Sequence, residues 1–187
     1  QNSNNLWTAK YMPRSPNDLV GNVEVIENFK SWLLEWDRDA KKPSEDPEPG
    51  KKKKWKKEGA GRVAKACMIS GPPGIGKTSM VKIVAESIGM ETMFINASDK
   101  RSKNVIESML KELTESSTMD HFRKGLTNLQ TLVVMDEVDG CSGNSDRGGI
   151  AALIKVIKST KMPIVCIAND HGSRKIISLN NHCYDLR

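Results

Sequence analysis

Gly71-Pro72-Pro73-Gly74-Ile75-Gly76-Lys77-Thr78 fits the spacing G-x-x-x-x-G-K-[ST] in full. Each residue type in it has a physical task at a polyphosphate. Glycines let the backbone curl so that successive N–H groups converge on phosphate oxygens. The start of the following helix adds a dipole of the right sign for the same anion. Lys77 would reach the β- and γ-phosphates, and the Thr78 hydroxyl could bind Mg²⁺. The stretch from Gly71 through Ser79 is therefore the candidate nucleotide-binding segment, with ATP and Mg²⁺ as its expected ligands.

Two further groups suit this chemistry. Asp136 and Glu137 follow the apolar run Leu132-Val133-Val134-Met135. A carboxylate delivered at a strand end beside the loop can hold Mg²⁺ through water, which is the role expected of Asp136. Glu137 is then placed to orient and deprotonate an attacking water. Asn169 ends the apolar run Ile164-Val165-Cys166-Ile167-Ala168. Ligands of parallel sheets lie outside the carboxyl ends of the strands, and a neutral amide there can bond the γ-phosphate or the water. Lys77, Asp136, Glu137 and Asn169 are thus the expected catalytic set.

These residues need elements to position them. Ala66-Cys67-Met68-Ile69-Ser70 is a short apolar run ending at Gly-Pro-Pro-Gly, which predicts a buried strand entering the loop. A helix over 77–88 leaves it and stops at Gly89. Further strands are expected over 92–96, 132–135, 163–168 and 183–186, and helices over 105–113 and 150–157. Residues 25, 26, 29, 32, 33 and 36 are apolar at helical spacing, so 23–36 reads as a helix whose Trp32 and Trp36 share the core face. Strands alternating with helices, and apolar on both faces, argue an α/β parallel sheet covered by helices on both sides.

The 187 residues carry a net charge of +6, from 29 basic and 23 acidic side chains. Segment 37–65 holds eleven of the basic residues and six of the acidic ones, leaving the remainder at 18 against 17. It is also rich in Pro and Gly and poor in apolar residues, which reads as a flexible insertion. Its Lys51–Lys57 run suits a solvated loop, a phosphate-backbone contact or a nuclear-localisation-like patch. Bulk charge is therefore weak evidence for nucleic acid. No apolar run is long enough to span a membrane, so no membrane partner is expected. Cys67, Cys141, Cys166 and Cys183 have neither zinc-site nor redox-pair spacing, which suits a reducing compartment. The first five residues show neither the charged nor the apolar part of a signal peptide, and no initiator Met, so a piece of a longer chain is expected.

These residues resemble those of a known family. The loop, Asp136-Glu137 and Asn169 look like the Walker A, Walker B and sensor 1 elements of AAA+ ATPases. Leu6-Trp7-Thr8-Ala9-Lys10-Tyr11-Met12-Pro13, with Asp18-Leu19-Val20-Gly21-Asn22, resembles the N-terminal box of clamp-loader subunits. Asn96-Ala97-Ser98-Asp99-Lys100-Arg101-Ser102 resembles the box after their second strand. Met135-Asp136-Glu137-Val138-Asp139-Gly140, then Asp146-Arg147-Gly148-Gly149-Ile150, resembles the large subunits of eukaryotic replication factor C.

The resemblance implies an AAA+ P-loop domain with a five-stranded sheet in the order 5-1-4-3-2. It divides the chain into a box and first helix (1–36), the insertion (37–65) and the ATPase core (66–187). A helical lid and a collar domain would lie outside this chain, so the piece alone should turn over little ATP. It further implies a nuclear hetero-pentamer with four small subunits that opens a ring-shaped sliding clamp with ATP and places it on primer–template DNA in replication and repair. The adenine would lie against Thr8, Tyr11, Val20 and Gly21. Arg101, Lys103 and Arg147 would meet DNA phosphates without sequence preference. Ile150, Leu153, Ile154 and Ile157 would anchor the clamp. Small subunits carry Ser-Arg-Cys near the fifth strand, whose Arg reaches a neighbour's ATP. Here the triplet is Asn181-His182-Cys183, and a neutral His lacks the charge and fork of Arg. This subunit should then receive a finger and give none, with Arg174 the remaining candidate. Other readings are a nucleotide-binding scaffold subunit with little turnover, the large subunit of an alternative or checkpoint loader, and, more distantly, a small-molecule kinase.

Overall fold

The computed structural model describes residues 10–40, 64–98, 108, 131–142, 147–160, 162–170 and 172–187. Helices α1 (Val23–Ala40), α2 (Lys77–Ser87), α3 (Arg147–Ser159) and α4 (Arg174–Asn180) alternate with strands β1 (Ala66–Ser70), β2 (Glu91–Asn96), β3 (Thr131–Asp136), β4 (Ile164–Ala168) and β5 (Tyr184–Leu186). The five strands form one sheet in the order β2-β3-β4-β1-β5, and every neighbouring pair is parallel. This is the expected order. Among the described residues no helix is long and apolar enough to cross a membrane.

Side-chain alternation divides the core between the two faces of the sheet. Ala66, Met68, Val133, Met135, Ile164 and Cys166 point into one cluster. Cys67, Ile69, Leu132, Val134, Val165 and Ile167 point into the other. On the first face Ile150, Leu153, Val156 and Ile157 of α3 pack with Ile176 and Leu179 of α4. On the second, Phe29, Trp32, Leu33 and Trp36 of α1 pack with Met80, Val81 and Val84 of α2. Spacings of three and four residues turn these apolar side chains to one stripe of each helix. The strands β1 and β4 are buried throughout, as a sheet covered on both sides requires. β2 departs from that expectation: Met93 and Phe94 stay 41% and 42% exposed. Among the described residues β2 has a neighbour on one side only, β3, so burial on both faces was too broad a reading of the sequence.

The elements differ from expectation in a few places. α1 runs on to Ala40, so the boundary read at residue 37 falls inside a helix. The indole N–H of Trp32 donates to the buried carbonyl of Ala64 at 2.9 Å, joining α1 to the approach to β1. α3 begins at Arg147, three residues before the expected start. α4 was not anticipated; its Ser173 cap accepts from the Ile176 N–H at 3.3 Å. The helix expected over 105–113 lies, except for Ser108, outside the described residues.

Candidate nucleotide site

The loop between β1 and α2 sits at the carboxyl edge of the sheet. Gly74 and Gly76 have φ of +79° and +88°, and a Cβ at either would meet open space. The left-handed backbone, rather than crowding, therefore calls for glycine at both positions. Gly76 precedes the first residue of α2 without a side-chain cap, so first-turn N–H groups remain available to an anion. Gly71 is held to β4 by its N–H, which donates to the Ala168 carbonyl at 3.3 Å.

Lys77 is the first residue of α2 and is only 8% exposed. Its ammonium donates to the carbonyls of Gly71 (2.7 Å) and Pro72 (2.8 Å) and to Asn169 Oδ1 (2.8 Å). Burial pulls the ammonium below the ordinary lysine range, while the charges of Asp136 and Asp139 act the other way. Lys77 and Asn169, both in the expected catalytic set, are thus in direct contact. On the β3 side the Thr78 hydroxyl donates to Asp136 Oδ2 at 2.8 Å. A hydroxyl and a carboxylate oxygen brought together beside a polyphosphate loop are hard oxygen donors, and this set fits a divalent cation such as Mg²⁺.

Glu137 follows the end of β3 with φ of +54°, in the left-handed region. Its Oε2 accepts from Asn96 Nδ2 at 3.0 Å and lies 2.9 Å from Ser98 Oγ. The Ser98 hydroxyl is also 2.6 Å from Asn96 Oδ1, and its single hydrogen serves one acceptor at a time. Asn96 is paired in register with Asp136. β2 lies on the side of β3 away from β4 and β1, so these donors draw the Glu137 carboxylate away from the loop. Gly140 packs so closely on Ser98 that a Cβ would come within 2.6 Å of the serine Cβ. Asp139 Oδ2 accepts the Asn169 backbone N–H at 3.3 Å.

Asn96, Ser98, Asp139 and Gly140 stand in stretches that carry the family resemblance, yet their types and spacing alone point to no role. The signal available was a polar residue at the end of the strand next to Asp136-Glu137. Only the strand register turns that signal into a contact.

Tyr11 is 69% exposed and Val20 fully so, while neighbouring Leu19 packs on the α1–α2 core. Asp18 accepts from the N–H groups of Arg14 and Ser15, which hold its carboxyl below the usual range. Gly21 has φ of +145°. Thr8, Arg101 and Lys103 lie outside the described residues, and so does the side chain of Arg147. His182 precedes β5 at the amino edge of the sheet, opposite Lys77, so it is remote from this chain's own loop. Arg174 opens α4 and is exposed.

One expectation is corrected. Ile150, Leu153 and Ile157 are 7%, 2% and 2% exposed and face the sheet. Side chains already buried in the core cannot anchor a partner, so the helical stripe read as a docking face is a packing face. Ile154 is half-buried against the same cluster. The outward face of α3 carries Ala151, Lys155 and Lys158.

The chain is similar to known proteins. Residues 67–184 match the model of the ATPase family associated with various cellular activities (AAA). The chain is 41% identical over 95% of its length to "Replication factor C subunit 1" of Oryza sativa subsp. japonica, spanning 18% of that protein. It is 38% identical to the Homo sapiens protein of the same name, with 98% of this chain and 16% of that one covered. Similarity extends to "Replication factor C large subunit" of Methanococcus aeolicus, at 36% identity over 95% of this chain and 31% of that one. The chain thus spans less than a third of each of these relatives. A solved structure of C. elegans PCH-2 superposes with a TM-score of 0.60 at 15% identity, covering 95% of this chain and 46% of that one, a likeness of fold alone. With a complete phosphate loop, Asp136-Glu137 and Asn169 gathered at one edge of a β2-β3-β4-β1-β5 sheet, and the family model matching 67–184, this chain belongs to the AAA family of ATPases.

Proposed function

We propose that this chain is the ATP-binding and ATP-hydrolysing domain of a clamp-loader large subunit, acting in replication and repair in the nucleus. The observation that carries the ATPase part is the convergence of Lys77 on Asn169 and of Thr78 on Asp136 at the loop. Similarity to replication factor C large subunits in eukaryotes and an archaeon supports the clamp-loader part.

In this reading Lys77 and the N–H groups from Gly71 to Ser79 hold the phosphates, and Tyr11, Val20 and Gly21, with Thr8, border the adenine. Thr78 and Asp136 hold Mg²⁺, which would supply charge neutralisation at the phosphates. Asn169 orients the γ-phosphate or the water. Glu137, released from Asn96 and Ser98, accepts the proton of the attacking water. The assembly would comprise four small subunits, a ring-shaped sliding clamp and primer–template DNA. Arg101, Lys103 and Arg147 would contact phosphates, a neighbouring subunit would supply an arginine to this site, and this subunit, with His182 in the finger position, would give none in return.

Two variants of the full-length protein in its assembly test this. Lys77→Ala should abolish nucleotide binding at this subunit. Glu137→Gln should keep binding and remove this subunit's share of turnover, about 10²-fold or more, and slow clamp loading on primed DNA. Unchanged turnover and loading with Glu137→Gln would favour a scaffold subunit that binds ATP without hydrolysing it.

A further inference from the structure

β3 and β4 run in register through Val133–Ile164, Val134–Val165 and Met135–Cys166. Beyond that point β3 leaves for Asp136 and Glu137, and β4 continues to Ala168. β1 also departs at Gly71, whose N–H donates to the Ala168 carbonyl. The Asn169 N–H therefore emerges where the strand ladder ends. A 3-10 turn over Val138–Ser142 follows β3, and from it Asp139 offers a carboxylate oxygen at 3.3 Å to that N–H. Its other oxygen, Oδ1, is buried and has no hydrogen-bond donor among the described residues. On its side-chain end, the same Asn169 accepts from Lys77 at 2.8 Å.

We infer that Asp139 is a positioning residue of this site: by replacing the missing ladder partner of Asn169, it sets where β4 delivers the Asn169 amide against Lys77. The inference rests on the ATP-hydrolysing reading above. Two connected contacts carry it, Lys77 to the Asn169 side chain and the Asn169 backbone N–H to Asp139, and Asp139 itself stands in the turn that follows Glu137. Burial works against the charge of Lys77, and Asp139, after Asp136, opposes that effect. The acceptor role separates from the charge role by substitution. Asparagine keeps an oxygen for the Asn169 N–H and loses the charge, whereas alanine loses both.

The test uses the full-length protein in its assembly, and reads the part of ATP turnover that Glu137→Gln removes. Asp139→Ala should lower the kcat of that part about tenfold, the scale of a misplaced catalytic group, while ATP-analogue affinity changes less than about twofold. Asp139→Asn should recover most of the loss. Asp139→Ser, too short to reach, replaces the alanine variant if that one does not fold. Unchanged kcat in the alanine or serine variant would overturn the inference. So would an equal loss in Asp139→Asn, or a loss confined to nucleotide affinity. If Glu137→Gln removes no turnover in the otherwise unaltered protein, the hydrolysis reading itself is overturned, and the inference with it.

Discussion

Gly140→Ala examines how tightly the ends of β2 and β3 are coupled. Gly140 does not have a positive φ, so alanine meets no backbone penalty there. The obstacle is Ser98: the new Cβ would stand 2.6 Å from its Cβ and 3.4 Å from its Cα. Carbon atoms prefer about 3.5–4.0 Å, so one backbone must yield by about 1 Å. Ser98 is the partner that would move. Its N–H donates to Asn96 Oδ1 at 2.8 Å and its hydroxyl stands between Asn96 and Glu137, and a shift of 1 Å takes these bonds out of range. Forced overpacking of this kind costs about 1–3 kcal/mol. Urea unfolding of this chain should show the loss, and thermal melting should fall by roughly 2–4 °C per kcal/mol. Ser98→Gly removes the clashing atom, so the same Gly140→Ala change should cost about 1 kcal/mol less in that background. A double-mutant cycle that closes additively within about 0.5 kcal/mol, or a Gly140→Ala protein as stable as the parent, would refute the coupling.

Three other outcomes follow from the same geometry. Because burial lowers the Lys77 pKa, the folded chain binds fewer protons than the unfolded one between that lowered value and the ordinary lysine value. Stability should therefore rise with pH through this window, and Lys77→Met should flatten that rise in urea titrations from neutral to alkaline pH. Leu153→Ala, at a side chain only 2% exposed, should destabilise the chain by about 2–5 kcal/mol; unchanged stability with weakened clamp binding would restore the docking assignment. Trp32→Phe removes the donor of the buried Ala64 carbonyl and should cost about 1–3 kcal/mol, with an unchanged urea midpoint contradicting that role.

The phosphate loop was legible because its chemistry is local. Gly74, Gly76, Lys77 and Thr78 act through backbone freedom and helix position within a few residues, and a contiguous motif records both. The apolar runs that became β1, β3 and β4 were legible for the same reason, since a strand buried on both faces has no polar alternation. Asp136-Glu137 and Asn169 could be placed at strand ends, but their contacts could not. The register of β2 on β3 brings Asn96 and Ser98 to Glu137 across 41 and 39 residues of chain. The crossing of β4 between β3 and β1 brings Asn169 to Lys77 across 92. Helix α3 shows the converse. An apolar stripe at helical spacing marks which side chains share a face, and says nothing about whether that face meets the chain's own sheet or another protein. The sequence alone determined which groups could handle a phosphate; the sheet decided which of them touch, because hydrogen bonds between distant segments depend on strand order and register, and neither is written in local spacing.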